Sequence, residues 1–526
     1  MRLAPLVLAA AVFALAAPGL ANATTYCVNS PGCSGTPEPD LQTALTTAQG
    51  TTGLADTVMV GSPGVPPATG YAYNGAADNP VSIIGVGTSA TTLTATDAGS
   101  TVLNLTGSTS SVSHLTLRLP AGGSYGMQTN AASINDVNVT SADPGTAAQR
   151  GAYLFGVGQT WNGGSIVLPS GTGSHIGIYA SSPGVSLTLQ DLSITAQARG
   201  LVLAQGSATL RRLTVVSGTL MDVTSENITA DNVLFQLAPS PEKDFLVAGT
   251  TSTDDGTVNL NHVTAVGDGS ADAFGILASS QNGKTLTVNL RNSIMRGFAT
   301  SVNRQALNAG SVANVSVAYS DLDPFAHQID TNGSGASGSI TSGAGNIGVD
   351  PKWVNPPAGD FTLLAGSPAI DAGDPAANPA AESATDLAGK PRFVGRTDIG
   401  AFEFQPPPPT PPADKTAPTI KLSRIPKKLR PKQLITGFSF TVTPSEAATL
   451  DATLAGSARS AHLAKSYNIT LAHKRTPRSA ATRRITLRVK KKLLGTSRKF
   501  SVKLTLVATD AAGNKRTITR TIKVRK

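Results

Sequence analysis

At 526 residues the chain is long enough for more than one domain, although a repeat fold can run longer as one unit. Charged residues make up 14% and aromatic residues 5%, while Gly, Ser, Thr, Ala and Val dominate; that excludes a fold of long helices and suits short strands joined by many turns. The net charge of +10 conceals two opposed regions: residues 413–526 hold 27 of the 42 Lys and Arg but 4 of the 32 Asp and Glu, a net of +23, which leaves −13 on the rest.

The first predicted element, residues 1–23, is a secretory signal peptide. Arg2 gives a short positive start, Leu6 to Leu15 form an apolar run, Pro18 and Gly19 break it, and Ala21-Asn-Ala23 offers a cleavage site before Thr24. The apolar run is too short to span a bilayer. No lipobox precedes Cys27, no later stretch approaches the roughly 18 apolar residues of a membrane helix, and no sorting motif closes the chain. The expectation is an extracellular or cell-surface protein without a covalent or membrane anchor.

Next come the only two cysteines, Cys27 and Cys33, in Cys-Val-Asn-Ser-Pro-Gly-Cys. Outside the cytoplasm a disulfide is their natural state, and Pro31-Gly32 supplies the turn that closes so short a loop. A metal or redox site is the rival, but no second Cys pair or His cluster completes a ligand set.

Over residues 24–345 an apolar-x-x-apolar signature recurs: Val112-Ser-His-Leu115, Ile134-Asn-Asp-Val137, Leu189-Gln-Asp-Leu192, Leu210-Arg-Arg-Leu213, Ala230-Asp-Asn-Val233, Leu260-Asn-His-Val263 and Leu290-Arg-Asn-Ser-Ile294. The intervals are 22, 55, 21, 20, 30 and 30 residues. The longest is about two periods, with Ser165-Ile-Val-Leu168 as a hidden strand. Val185, Leu187 and Leu189 alternate with polar residues, and Leu192 and Ile194 resume the alternation. Glycine introduces further strands at Gly177, Gly200 and Gly275. A period in the low twenties with tolerated insertions is what one coil of a parallel β-helix needs. An antiparallel sandwich is the rival, but stepwise spacing needs no long-range pairing and hairpin dipeptides are few. The stretch resembles the right-handed parallel β-helix families.

Residues 346–404 sharpen that likeness. Asn346-Ile-Gly-Val-Asp-Pro-Lys-Trp-Val354 leads into Gly359-Asp-Phe-Thr-Leu-Leu-Ala-Gly-Ser-Pro-Ala-Ile-Asp-Ala-Gly-Asp374, then Thr385-Asp-Leu-Ala-Gly-Lys-Pro-Arg392 and Thr397-Asp-Ile-Gly-Ala-Phe-Glu403. Together these resemble the closing segment of the choice-of-anchor Q domain of bacterial surface β-helix proteins. The resemblance implies an architecture and an attachment device at the C-terminal end, and no established chemistry. Physically, a solenoid ends in an open strand edge that needs a cap. The alternative is that Asp371, Asp374, Asp386, Asp398 and Glu403 gather round a Ca²⁺ ion, although their spacing matches no EF-hand or nonapeptide repeat.

Residues 405–417 read as a Pro-rich linker, extended and semi-rigid. Residues 418–526 follow as a basic module, with alternating strands at Phe438 to Val442, Arg484 to Val489, Phe500 to Val507 and Arg516 to Val524. Its opening Thr416-Ala-Pro-Thr-Ile-Lys-Leu422, Ser445-Glu-Ala and the turn Ala508-Thr-Asp-Ala-Ala-Gly-Asn514 resemble bacterial immunoglobulin-like modules. The predicted fold class is therefore all-β: a right-handed parallel β-helix plus a C-terminal immunoglobulin-like sandwich.

No catalytic residue can be assigned. Glycoside hydrolysis needs carboxylates converging on one strand face, and no Asp pair sits on a repeated strand; Asp254-Asp255 reads as a loop. Arg211-Arg212 is the only adjacent basic pair of the repeat region and reads as a solvated corner. His114 and His262 share a place in the repeat, but no Cys or carboxylate recurs beside them to make a metal site. No cofactor is implied, Ca²⁺ apart. In the basic module Lys427-Lys428, Lys474-Arg475, Arg483-Arg484 and Lys490-Lys491-Lys492 create a field of one sign that attracts polyanions. Nucleic acid is a poor fit, since no aromatic residues interleave the charges. An anionic envelope polymer or glycan is the expected partner of a monomeric surface binding protein. An extracellular lyase or hydrolase of acidic glycans is the alternative.

Overall fold

The computed structural model describes residues 23–525, apart from 52, 77, 108, 123, 142–146, 170–172, 225–226, 251–253, 324–326, 379–381, 408–412, 459–466 and 495–498. The expected signal peptide lies outside the described residues but for its last position, and so does much of the Pro-rich linker. The described chain divides into two compact units between Pro406 and Pro407.

The first unit is a parallel β-solenoid of about ten coils. Each coil contributes short strands to three rows. The first row runs from Thr25–Val28 and Asp56–Val60 through the front half of Gly256–Val266 to Thr285–Arg291, Val312–Ala318 and Ile340–Ser342. The second includes Ser193–Thr195, Thr214–Ser217 and Ile294–Arg296. The third includes Tyr125–Thr129, Arg150–Leu154, Thr219–Thr224, Asp244–Gly249, Phe274–Ser280 and His327–Asn332. Every pairing among these rows is parallel, so one set of alternating side chains points inward along the whole stack. Val258, Leu260, Val288 and Leu290 belong to that wholly buried interior, with Met127, Ile178, Leu201 and Ile276 from the third row.

The repeat signature marks the corner between the first and second rows. Its third residue takes a left-handed backbone each time: His114, Asp136, Asp191, Arg212, Asn232, His262 and Asn292 all have φ between 49° and 57°. Asn and Asp tolerate this conformation because their short polar side chains bond locally. In the coil the signature skips, Gly163 has φ 77° within the strand Gln159–Val167, where a hidden strand was expected. The third row has its own constraint. Gly126, Gly151, Gly177 and Gly200 stack on consecutive coils, and a Cβ on Gly151 or Gly177 would lie 2.5 Å from the carbonyl oxygen of the next glycine. Coils approach too closely there for any side chain.

The helix Leu41–Gln49 interrupts the strands near the start. Asp40 caps it, accepting from the Thr43 N–H at 2.9 Å, and Leu41, Ala44, Leu45 and Ala48 are buried in the solenoid core. Cys27 and Cys33 are joined in the expected disulfide, with Cα atoms 5.8 Å apart.

Residues 346–404 cap the terminal edge in part: Ile347 bridges Asp321 in parallel at the end of the second row, donating to Ser320 O (2.9 Å) and accepting from Leu322 N–H (3.2 Å), while the described residues beyond it take another course. The described residues from Asp374 to Phe404 lie along the flank and bond to residues at and beside the corners of earlier coils. Ser383 N–H donates to Asp231 (3.2 Å), Asn232 Nδ2 to Thr385 O (3.0 Å), Ala401 N–H to Thr264 (2.9 Å) and Asp374 N–H to Asn292 (2.7 Å). The physical reason is the corner itself, which offers the polar side chains of Asp231, Asn232 and Asn292 in a column, joined by Thr264 of the adjacent strand. All six residues of His327–Asn332, the last strand of the third row, remain exposed.

The second unit holds two sheets. Ile420–Ser423, Phe438–Pro444 and Arg483–Leu487 form an antiparallel three-stranded sheet. The other has five strands in the order Lys428–Leu429, Lys515–Arg525, Lys499–Thr509, Ala448–Ala458 and Tyr467–Ser479. Phe440, Val442, Ile485 and Leu487 from one sheet share a core with Leu450, Leu454, Leu504 and Leu506 from the other.

Candidate functional site

The basic unit presents its charge as a sheet face. In the five-stranded sheet, Leu429, Val502, Leu504, Ile522 and Val524 point into the core, so their alternating neighbours point to solvent. Those neighbours include Lys428, Lys499, Lys503, Lys523 and Arg525, all exposed. The register puts them side by side: Lys428 opposite Lys523, Arg525 opposite Lys499, and Lys503 opposite Thr521. No acidic residue stands among them. The one salt bridge among the described residues of this unit is His473 to Asp451, 2.5 Å, and involves none of the five.

Of the nine expected polyanion-binding residues, Lys428 belongs to this face. Lys427 precedes its strand, and Lys490, Lys491 and Lys492 lie at a 3₁₀ turn. Lys474 and Arg475 occupy successive positions of one strand, opposite Ala452 and Asp451 respectively, so they face opposite ways. Arg483 and Arg484 are likewise successive residues on the three-stranded sheet. Adjacent cations in a strand cannot share a face. The spacing that does share one, Lys523-Val-Arg525, was in the sequence and is the signal that would have found it.

On the solenoid's third row, a cluster of carboxylates surrounds Arg199. Its guanidinium pairs with Asp222 and with Glu242, each at 3.4 Å. The Thr219 hydroxyl donates to Glu242 at 3.2 Å and to Asp244 at 3.4 Å. Burial raises the Asp222 carboxyl against the pull of Arg199, and burial raises Asp244 against its bond to Thr219. No linear motif announces this group, because its members come from successive coils.

The remaining expected residues resolve into structural roles. Arg212 makes a two-pronged bond to Asp191 at the preceding corner (2.6 and 2.7 Å) and holds that carboxyl below its usual range. Arg211 is exposed beside it. His114 and His262 do share one column of corners, but His114 is exposed while His262 is buried against Glu382 at 3.0 Å. Asp254 and Asp255 border an open groove of about 710 Å³ with Gln205 and Asn227.

The five carboxylates weighed as a Ca²⁺ site serve as acceptors for the chain's own donors. Asp386 accepts from Lys390 and Glu403 N–H groups, Asp398 from Asp371 and Phe404, and Asp371 from Arg396. Asp374 pairs with Arg291 (2.5 Å). Glu403 accepts from the N–H groups of Asp398 and Val394 and from the wholly buried Arg392. Among the described residues one group brings three carboxylates within 4.8 Å of one another: Asp414, Glu446 and Asp510 in the basic unit, an oxygen set of the kind a divalent cation takes. No described helix is long and apolar enough to cross a membrane. No family model and no curated protein matches the chain in sequence, so the functional reading rests on this geometry.

Proposed function

We propose that the protein is an exported surface binding protein, in which the solenoid presents ligand-binding faces and the basic unit retains it on an anionic envelope polymer. The five-cation face of Lys428, Lys499, Lys503, Lys523 and Arg525, with no acidic residue among them, carries this reading. Clustered like charge on a flat surface attracts a polyanion and repels other cations. The disulfide and the apolar, cleavable N-terminus support export. The residues at 346–404 support a choice-of-anchor Q-type segment, and the two-sheet core supports an immunoglobulin-like module.

The test is binding of the full chain to purified envelopes and to an isolated anionic wall polymer as salt rises from about 0.05 to about 0.5 M, a range over which screening becomes strong. The reading expects binding that collapses with salt and is lost when the five cations are replaced by Gln. Salt-independent binding, or binding unchanged by those replacements, would sink it.

A second reading, hydrolysis of an acidic glycan, is favoured by the cluster of Asp222, Glu242 and Asp244, two of whose carboxyls are raised by burial. It requires release of reducing ends that stops in Asp222→Asn or Asp244→Asn.

A further inference from the structure

The third row carries a second unusual surface, on the coils just before the carboxylate cluster. Tyr125, Tyr153 and Tyr179 come from three consecutive coils and are partly buried, with Tyr153 directly paired to Tyr179 in the ladder. Their ring centroids are 6.1 and 5.5 Å apart, and Phe155 adds a fourth ring 5.2 Å from Tyr153. Arg150 sits among them. Its guanidinium carbon is 5.2 Å from the Tyr125 ring centre and 5.1 Å from that of Tyr179, and it donates to the Tyr125 hydroxyl at 2.8 Å.

None of these rings is required by the core. The inward positions of the same strands are Met127, Ala152, Leu154, Ile178 and Ala180, all buried. In a chain with 5% aromatic residues, four rings on one solvent-facing patch are a concentration that folding does not explain. The arginine is equally unexplained. The Nε of Arg150 is buried without a hydrogen-bond partner, and no carboxylate pairs with its guanidinium among the described residues. The nearby Arg199 has two such partners.

We propose that this patch binds a polysaccharide bearing carboxylates, a uronic-acid polymer, with its chain running along the solenoid axis. The apolar C–H surfaces of the sugar rings pack on the tyrosines, and one carboxylate meets Arg150. Tyr153 and Tyr179 pair in the ladder with ring centroids 5.5 Å apart, and Tyr125 pairs with Arg150, so a sugar chain laid across the coils meets the rings with the guanidinium beside them. Desolvation by the flanking rings strengthens the bond between the guanidinium and its carboxylate.

This inference rests on the reading of the solenoid as a ligand-presenting surface, not on the retention role of the basic unit. The test therefore uses the full chain with Lys428, Lys499, Lys503, Lys523 and Arg525 replaced by Gln, which removes the cationic face as a competitor. Calorimetric titration with hexagalacturonate is compared with titration of its methyl ester, which keeps the rings and removes the charge. Binding of the acid is expected to weaken at least about tenfold in Tyr153→Ala. Arg150→Gln is expected to weaken the acid to the level of the ester and to leave the ester unchanged. An equal melting temperature in Arg150→Gln guards against misfolding, and Tyr179→Ala replaces Tyr153→Ala if the latter does not fold. No binding of the acid, or binding indifferent to both substitutions, overturns the proposal. Either result leaves the salt-dependent retention of the unsubstituted chain standing or falling on its own.

Discussion

The N–H of Asp374 donates to the side-chain oxygen of Asn292 over 2.7 Å, across 82 residues of chain. Asn292 is a corner residue with φ 50°, and its backbone carbonyl also accepts from Gly400 at 2.7 Å. The same double use recurs at Asn232, another corner residue, whose side-chain oxygen accepts from Arg392 and whose nitrogen donates to Thr385. The corner column thus turns each coil and also provides the surface on which residues 374–404 are clasped.

Arg392 is the centre of that clasp. It is wholly buried and donates to the carbonyls of Gly400 (3.1 Å) and Ala401 (2.7 Å) as well as to Asn232 and Glu403. Removing it in Arg392→Leu leaves the Gly400 and Ala401 carbonyls and the Glu403 carboxyl without their buried donor, which costs about 1–3 kcal/mol for each group left unpaired. Urea unfolding should show that loss, and limited proteolysis should cut within 374–404. The double variant Arg392→Met with Glu403→Leu should recover part of it, because the Glu403 carboxyl is then no longer buried without its donor. Equal stability of wild type and Arg392→Leu would refute the clasp.

Much of the solenoid was legible because its constraint repeats. The apolar-x-x-apolar signature found the corners, and its third residue is the left-handed one at every occurrence named. Glycines at 177, 200 and 275 announced third-row strands for a reason now visible, the close approach of coils. The helix Leu41–Gln49 was missed although its buried residues fall at helical spacing, because it occurs once and outside the repeat. The strands Ala448–Ala458 and Tyr467–Ser479 were missed too, the second being crowded with Lys and Arg. The functional surfaces were least legible. Tyr125, Tyr153 and Tyr179 become neighbours only once coil lengths fix the register, and the cationic face only once alternation assigns each lysine a side.

The glycine column makes a sharp stability prediction. A Cβ on Gly177 would lie 2.5 Å from the Gly200 carbonyl oxygen, a backbone atom that cannot swing aside. Gly177→Ala should cost about 1–3 kcal/mol by overpacking. Gly249, at the end of another third-row strand, would bring its Cβ no nearer than 3.8 Å to any atom of the described residues around it. Gly249→Ala should stay within about 0.5 kcal/mol of wild type. Thermal melting of the pair decides the matter, and equal effects would contradict the packing argument.

Corner geometry can be separated from packing at Asp136, which has φ 49° and is exposed. Gly adopts this conformation freely, whereas a β-branched residue is strained in it. Asp136→Val should therefore lower stability by about 1–2 kcal/mol, while Asp136→Gly should be close to neutral. A chemical-denaturation series in which Val and Gly behave alike would remove backbone strain as the reason for the corner residue.

Acid sensitivity should arise at His175. The side chain is wholly buried, neither ring nitrogen has a hydrogen-bond partner among the described residues, and burial holds its pKa below the usual imidazole value. The unfolded chain takes up a proton near pH 6.5, so below that pH it binds more protons than the folded one. The stability from a neutral His175 is thus present in full above about pH 6.5 and is lost as pH falls toward the lower folded value. Buried carboxylates act in the opposite sense. Burial and the charge of Asp398 push Glu403 up to about 8, and burial pushes Asp398 and Asp321 up to about 6, so their contribution fades as pH rises. The raw pH profile mixes these effects, but the difference between wild type and His175→Met isolates one of them. Between about pH 7.5 and about pH 5, wild type should lose stability relative to the variant by at most about 1.4 kcal/mol per pH unit. Parallel melting curves across that range would show that His175 stays accessible to protons in the fold, and would overturn the assignment of its burial as the source of acid sensitivity.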